Sequence, residues 1–99
     1  MTNVDDPSAR RKEIAEGLGT IGRIKVVASL AKRPNDALTK YALASETGLK
    51  RRDLKQNLDR LVAIGWVKEH KSVYPKYQLN LGNERARLFA EFLQKVGYT

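Results

Sequence analysis

The 99-residue sequence contains no cysteine and a single histidine, His70. The missing cysteines exclude disulfides, a thiol nucleophile, thiolate zinc sites and iron–sulfur clusters. One histidine excludes a multi-histidine metal site and leaves any Ser-His-Asp arrangement a single candidate base. Long apolar runs are missing too. Stretches such as Val26-Val27-Ala28 and Tyr41-Ala42-Leu43-Ala44 are soon interrupted, well short of a signal-peptide core or a membrane span. Paired carboxylates, a metal cluster and a phosphate-binding loop are also not recognisable, so nothing points to an enzyme and no cofactor or metal is implied. These absences lead us to expect a soluble, cytoplasmic chain that does not enter a membrane. Its length fits one domain, which buries about two thirds of its unfolded surface and needs no covalent staple.

Positive charge is what the sequence has in excess, with nineteen Lys and Arg against eleven Asp and Glu, a net of +8. The excess is concentrated. Residues 1–17 carry a net of −1 and residues 81–99 a net of +1, whereas residues 18–80 hold thirteen basic and five acidic side chains. A basic surface of this kind suits a polyanion, and nucleic acid is the commonest one in a cytoplasm.

The spacing of apolar residues organises the chain. Residues 1–18 read as a weakly ordered arm or short helix that Asp6-Pro7 would start, with Ile14 and Leu18 as its apolar anchors. Thr20 caps a helix to Lys32 in which Ile21, Ile24, Val27, Ala28 and Ala31 recur at helical spacing. Arg33-Pro34-Asn35-Asp36 closes it. Thr39 caps a shorter helix with Tyr41, Leu43 and Ala44 as its apolar contacts, and Gly48 ends it in the left-handed conformation. Leu49 plugs the core, and another helix starts near Lys50. Its Leu54, Leu58, Leu61 and Val62 form one stripe up to Gly65. Two helices joined by a short glycine-containing turn make a helix-turn-helix. Residues 66–70 and 76–79 are β-prone runs bracketing the loop Lys71-Ser72-Val73-Tyr74-Pro75, as in a hairpin. Asn83 caps a last helix bearing Leu88, Phe89, Phe92, Leu93 and Val96.

That order describes a mainly α chain with a small β-hairpin, a winged helix-turn-helix. The run LTKYALASETGLKRRDLKQNLDRLVAIGWVKEH resembles the core of winged-helix transcription regulators of the ArsR, MarR and PadR type. KYQLNLGNERARL is similar to the Y-x-L-T-x-x-G segment that joins wing to last helix in the MarR and PadR groups. The resemblance spans residues 20–96. It implies a DNA-binding domain over residues 19–82, a wing laid along the DNA backbone or in the minor groove, and a dimerisation helix over residues 83–99. The cysteine and histidine clusters of ArsR-type metal sensors are absent, so metal sensing does not carry over.

The third helix of this series supplies the residues that would read bases. With Leu54 at 0° and about 100° per residue, its apolar stripe centres near 25°. Arg52 and Gln56 then fall at about 160° and 200°, on the opposite face, with Lys55 at about 100° beside them. Arg51 stands at the first turn. Arginine reads guanine and glutamine reads adenine with paired hydrogen bonds, and the N-terminal residues of a recognition helix meet the base edges. Arg51, Arg52, Lys55 and Gln56 are therefore the expected base-reading set. Two cations at a helix N-terminus oppose its dipole, a cost easier to understand if DNA compensates it. Asp59 is placed to pair with Lys55 at i, i+4.

Thr39, Lys40, Arg60, Lys71, Tyr74 and Lys76 are the expected phosphate and wing contacts. An ordinary solvated hairpin with lysines guarding an exposed edge is the competing reading of the wing. His70 reads as a polar strand residue, whereas Tyr77 and Trp66 are expected to pack inward.

On the last helix, Leu88, Phe92 and Val96 form one apolar line and Phe89 and Leu93 another. All five are taken as the dimer interface, one line covering the domain and the other left for a partner. The expected function is a homodimeric, sequence-selective double-stranded DNA-binding protein that regulates transcription in the cytoplasm, at the nucleoid. The alternatives are an architectural or segregation protein that spreads on DNA with little sequence choice, and a protein-interaction winged helix in a larger complex.

Overall fold

The computed structural model describes residues 7–98. Asp6, and with it the expected cap of the first helix, lies outside them. Five helices and one small sheet follow in the order α1 (Pro7–Leu18), α2 (Ile21–Lys32), β1 (Leu38–Thr39), α3 (Lys40–Thr47), α4 (Arg51–Ala63), β2 (Val67–His70), β3 (Lys76–Leu79) and α5 (Glu84–Lys95). Local signals explain most of the helix ends. The hydroxyl of Thr20 accepts from Arg23 N at 3.1 Å, that of Thr39 from Ala42 N at 3.2 Å, and the Asn83 Oδ1 from Ala86 N at 3.1 Å. Gly48 closes α3 at φ 73°, in the left-handed region where a side chain would be strained.

α2 runs through the centre of the molecule, with Val26, Val27, Ala28, Leu30 and Ala31 buried. Leu43 of α3, Leu54, Leu58 and Leu61 of α4, and Ala86, Ala90 and Leu93 of α5 join them in one core. Three residues expected to pack do not. Leu18 is 36%, Ile21 71% and Tyr41 86% exposed, because each lies in a terminal turn of its helix, which projects beyond the neighbouring element.

The sheet has three antiparallel strands in the order β1-β3-β2 and so exceeds the expected two-stranded hairpin. Leu38 pairs with Tyr77 and Thr39 with Lys76, while β2 runs along β3 from Val67↔Leu79 to His70↔Lys76. A two-residue strand has no alternation to detect; only β3, supplied from nearly forty residues away in sequence, makes Leu38-Thr39 a strand. On the wing, Tyr77 and Leu79 face the core and the Lys side chains face out.

α1 is tied down more firmly than its composition suggests. Ile14 packs on the core and Gly17 is buried against the ring of Trp66. Glu13 accepts from Trp66 Nε1 at 2.6 Å and from Arg85 Nε and Nη2 at 3.0 and 3.1 Å. One carboxylate thus joins α1, the start of the wing and α5. Burial pushes the Glu13 carboxyl up, but the bonds from Arg85 and Trp66, the Arg85 charge and a bond from Asn83 together outweigh it and leave the carboxyl below its usual 4.5. A carboxyl lowered by folding adds stability that is complete above its unfolded value and is lost as pH falls through the folded one. Thermal melts are therefore expected to fall on acidification below pH 4.5, and to fall less in Glu13→Gln. Equal acid sensitivity in both proteins would remove Glu13 from the explanation.

Candidate nucleic-acid interface

α4 is held at a fixed rotation by its inner face. Leu54, Leu58 and Leu61 are at most 1% exposed, and Asn57 between them is 8% exposed. The Asn57 Oδ1 accepts from Thr20 Oγ1 at 3.1 Å and Arg23 Nε at 3.2 Å, and its Nδ2 donates to Asp53 O at 2.9 Å. Arg23 is in turn paired with Glu16 at 3.0 Å. A polar clamp from the α1–α2 corner therefore locks α4. Counting apolar residues alone missed Asn57, and including it turns the buried stripe by about 20°, towards 0°. The outward direction then lies between Arg52 and Gln56 instead of on Gln56.

Arg51, Arg52, Lys55 and Gln56 are all exposed, and with Asp59 they line one open hollow along the outer face of α4. Lys55 Nζ lies 2.8 Å from Asp59 Oδ2. The hydrogen bond and then the charge of Asp59 hold this ammonium above its ordinary value, so Lys55 meets a ligand already paired. Such exposed pairs are weak and open readily. The N-cap residue Lys50 makes no side-chain cap bond, which leaves the first amide groups of α4 directed outward beside Arg51 and Arg52.

Two further hollows continue from this face. Lys40, Tyr41, Ala44, Arg51, Leu54 and Lys55 line a cleft of about 350 Å³ between α3 and α4. Thr39, Lys40, Tyr41, Tyr74 and Pro75 line one of about 270 Å³ between α3 and the wing. Their shared residues make a continuous surface from the outer face of α4 to the base of the wing. Lys40 Nζ sits 6.0 Å from the centre of the Tyr77 ring, so the wing fixes this cation from below. Arg60, Lys71 and Lys76 are exposed but line none of the three hollows. His70 is exposed and bonded to the side chain of Gln78 at 2.8 Å.

Tyr41 is a contact candidate that the sequence did not suggest. Its residue type suggests the core, yet it lines the cleft with Lys40 and Arg51 and also the hollow beside the wing with Tyr74, itself 76% exposed. Its position in the first turn after the cap residue Thr39 is the available signal, since the first helix of a helix-turn-helix crosses the DNA backbone.

The two apolar lines of α5 separate cleanly. Leu93 is 3% exposed and Phe89 packs on the core, its ring 6.0 Å from that of Trp66. Both pack on this chain's own interior, Leu93 buried and Phe89 half-buried. Leu88, Phe92 and Val96 are 52%, 55% and 58% exposed and form an uncovered stripe.

No family model matches the chain, and no curated protein matches it in sequence. Solved structures do match. HlyU from Vibrio cholerae superposes with a TM-score of 0.77 at 20% identity, over 96% of this chain and 99% of that one. The transcriptional repressor BigR from Xylella fastidiosa gives 0.71 at 20% identity, over 96% of each chain. The homodimeric winged helix-turn-helix DNA-binding domain of Mb0332 from Mycobacterium bovis, a possible ArsR-family regulator, gives 0.67 at 25% identity, over 96% of this chain and 87% of that one. The fold is the winged helix-turn-helix, shared with transcriptional regulators.

Proposed function

We propose that this chain is a homodimeric, sequence-selective double-stranded DNA-binding protein that regulates transcription, and that it works at the nucleoid in the cytoplasm rather than as an enzyme. One observation carries the reading. Arg52 and Gln56 lie uncovered on the outward face of a helix whose opposite face is clamped by three leucines and Asn57. A helix of about 10–12 Å diameter fits the major groove, and these two residue types read guanine and adenine edges there. The free amides at the start of α4, with Arg51 and Lys40, suit the flanking phosphates. Thr39 contributes from the front of α3, its hydroxyl accepting from Ala42 N while its own proton remains to donate. Tyr41 and Tyr74 offer broad aromatic faces to the sugar-phosphate chain, and Lys71 and Lys76 carry the wing's charge to it. Arg60 lies farther along α4, where the backbone would pass. Lys55 joins the base-reading set once its pair with Asp59 opens. The second copy docks through Leu88, Phe92 and Val96, the stripe left bare on α5, in keeping with the homodimeric state of the similar domain from Mycobacterium bovis.

Selection of bound sequences from random DNA, followed by footprinting, tests this reading. The expected site is an inverted repeat with half-site centres about 10 or 20 base pairs apart, bound about a thousandfold better than random DNA. Arg52→Ala and Gln56→Ala should each weaken that site by about 1–3 kcal/mol and relax base choice at one position. Lys71→Ala should weaken all sequences alike. With about four phosphates engaged per protomer, log K against log salt should slope near −7. A footprint without a dyad that extends as protein is added would instead identify a protein that spreads on DNA. A slope shallower than about −3 would point away from DNA as the main partner.

A further inference from the structure

A second polar hollow, of about 160 Å³, shares no lining residue with the DNA-facing surface. It lies between α2, α3 and the segment after α5, and Ser29 and Tyr98 are among the residues that line it. Ser29 is 4% exposed and its Oγ is buried with no hydrogen-bond partner among the described residues. Folded proteins rarely leave a buried hydroxyl in that state, and an unfilled ligand position is one of the few physical reasons for it. The neighbouring Thr47 makes the contrast. Its hydroxyl donates to Leu43 O at 2.7 Å and accepts from Leu49 N at 3.2 Å.

The charges around the hollow are two cations and one carboxylate. Lys25 and Lys32 lie four residues before and three after Ser29, hence on the same face of α2, and both line the hollow. Neither has an ion-pair partner among the described residues. Glu46, also in the lining, is already bound by Arg33. The phenol of Tyr98 adds a donor, its backbone held by the bond from Tyr98 N to Leu93 O at 2.9 Å. Two unpaired ammonium groups, a buried hydroxyl and a phenol, facing one neutralised carboxylate, suit an anion. The volume corresponds to about five water molecules, the size of an inorganic oxyanion or a short organic acid.

We propose that this hollow is a binding site for a small oxyanion, a phosphate or short carboxylate, which Ser29 meets as the buried donor and Lys25 and Lys32 neutralise. The site is independent of the DNA-binding function proposed above. Titration of the full chain with inorganic phosphate and separately with acetate, at ionic strength held constant with sodium chloride and followed by amide NMR, tests it. Saturable shifts at Ser29, Thr47 and Tyr98 are expected with at least one of the two anions, and the tighter of them identifies the preferred class. The double variant Lys25→Gln/Lys32→Gln should bind at least tenfold more weakly. Ser29→Ala should bind at least fivefold more weakly while melting no lower than the parent, since it removes an unsatisfied hydroxyl. Shifts that rise linearly without saturating, shifts confined to Arg51, Arg52 and Lys76, unchanged affinity in these variants, or a lower melting temperature for Ser29→Ala would each overturn the proposal.

Discussion

Replacing Gly17 by alanine is expected to lower the melting temperature by up to about 15 °C, although alanine is the better helix former. Two effects of opposite sign meet at this position. In an exposed helix interior the exchange would stabilise by about 1 kcal/mol. Here the added Cβ would fall 2.3 Å from two ring carbons of Trp66, well inside van der Waals contact. Trp66 has nowhere to go, being fully buried, bonded to Glu13 through Nε1 and packed against Phe89. Overpacking of this kind costs about 1–3 kcal/mol after relaxation. A domain of this size loses about 4–8 °C per kcal/mol, so the clash wins over propensity. Combining Gly17→Ala with Trp66→Leu should cost less than the two single changes added together, because the smaller side chain leaves room for the methyl. A rise in melting temperature for Gly17→Ala would show that α1 lifts off Trp66 freely and does not belong to the cooperative unit.

Phe92→Glu is expected to convert the protein to a monomer at tens of micromolar and to weaken its selected DNA site by about a hundredfold or more. Phe92 is the middle of the bare stripe on α5 and 55% exposed. Its ring lies parallel to that of Phe89, centroids 6.4 Å apart, so the stripe is continuous with the core beneath it. A carboxylate at the centre of an isologous contact meets its own copy across the two-fold axis, unpaired and desolvated. Losing the dimer turns one bivalent binding event into two independent ones, and such linkage contributes about 10²–10⁴ in affinity. The fold should survive, since more than half of the Phe92 surface is already in water and Leu93 and Phe89 still cover the core. Sedimentation and circular dichroism separate the possibilities. A folded variant that remains dimeric would move the interface away from α5, and a parent protein that is itself monomeric would remove the dimer from the mechanism.

The sequence by itself determined the elements whose causes are local. Thr20, Thr39 and Asn83 announce helix starts because each hydroxyl or amide oxygen serves an amide three residues away. Gly48 announces an end because a residue without Cβ adopts its left-handed φ at no steric cost. The outward placement of Arg52 and Gln56 also followed from period alone, because three leucines at helical spacing leave little freedom in how α4 rotates. Tertiary structure decided what depends on distant partners. β1 exists because β3 lies beside it. Tyr41 is exposed because α3 begins beyond the edge of the core, although its residue type favours burial. Asn57 is buried because Thr20 and Arg23 satisfy its oxygen, a compensation no apolar count detects. Glu13 stapling α1 to Trp66 and Arg85 spans more than fifty residues to the first and more than seventy to the second. On α5 the two apolar lines are chemically equivalent in sequence. Only the position of Trp66 and α2 selected Phe89 and Leu93 for the core and left Leu88, Phe92 and Val96 bare, because a helix lying on a domain can bury only the side turned toward it.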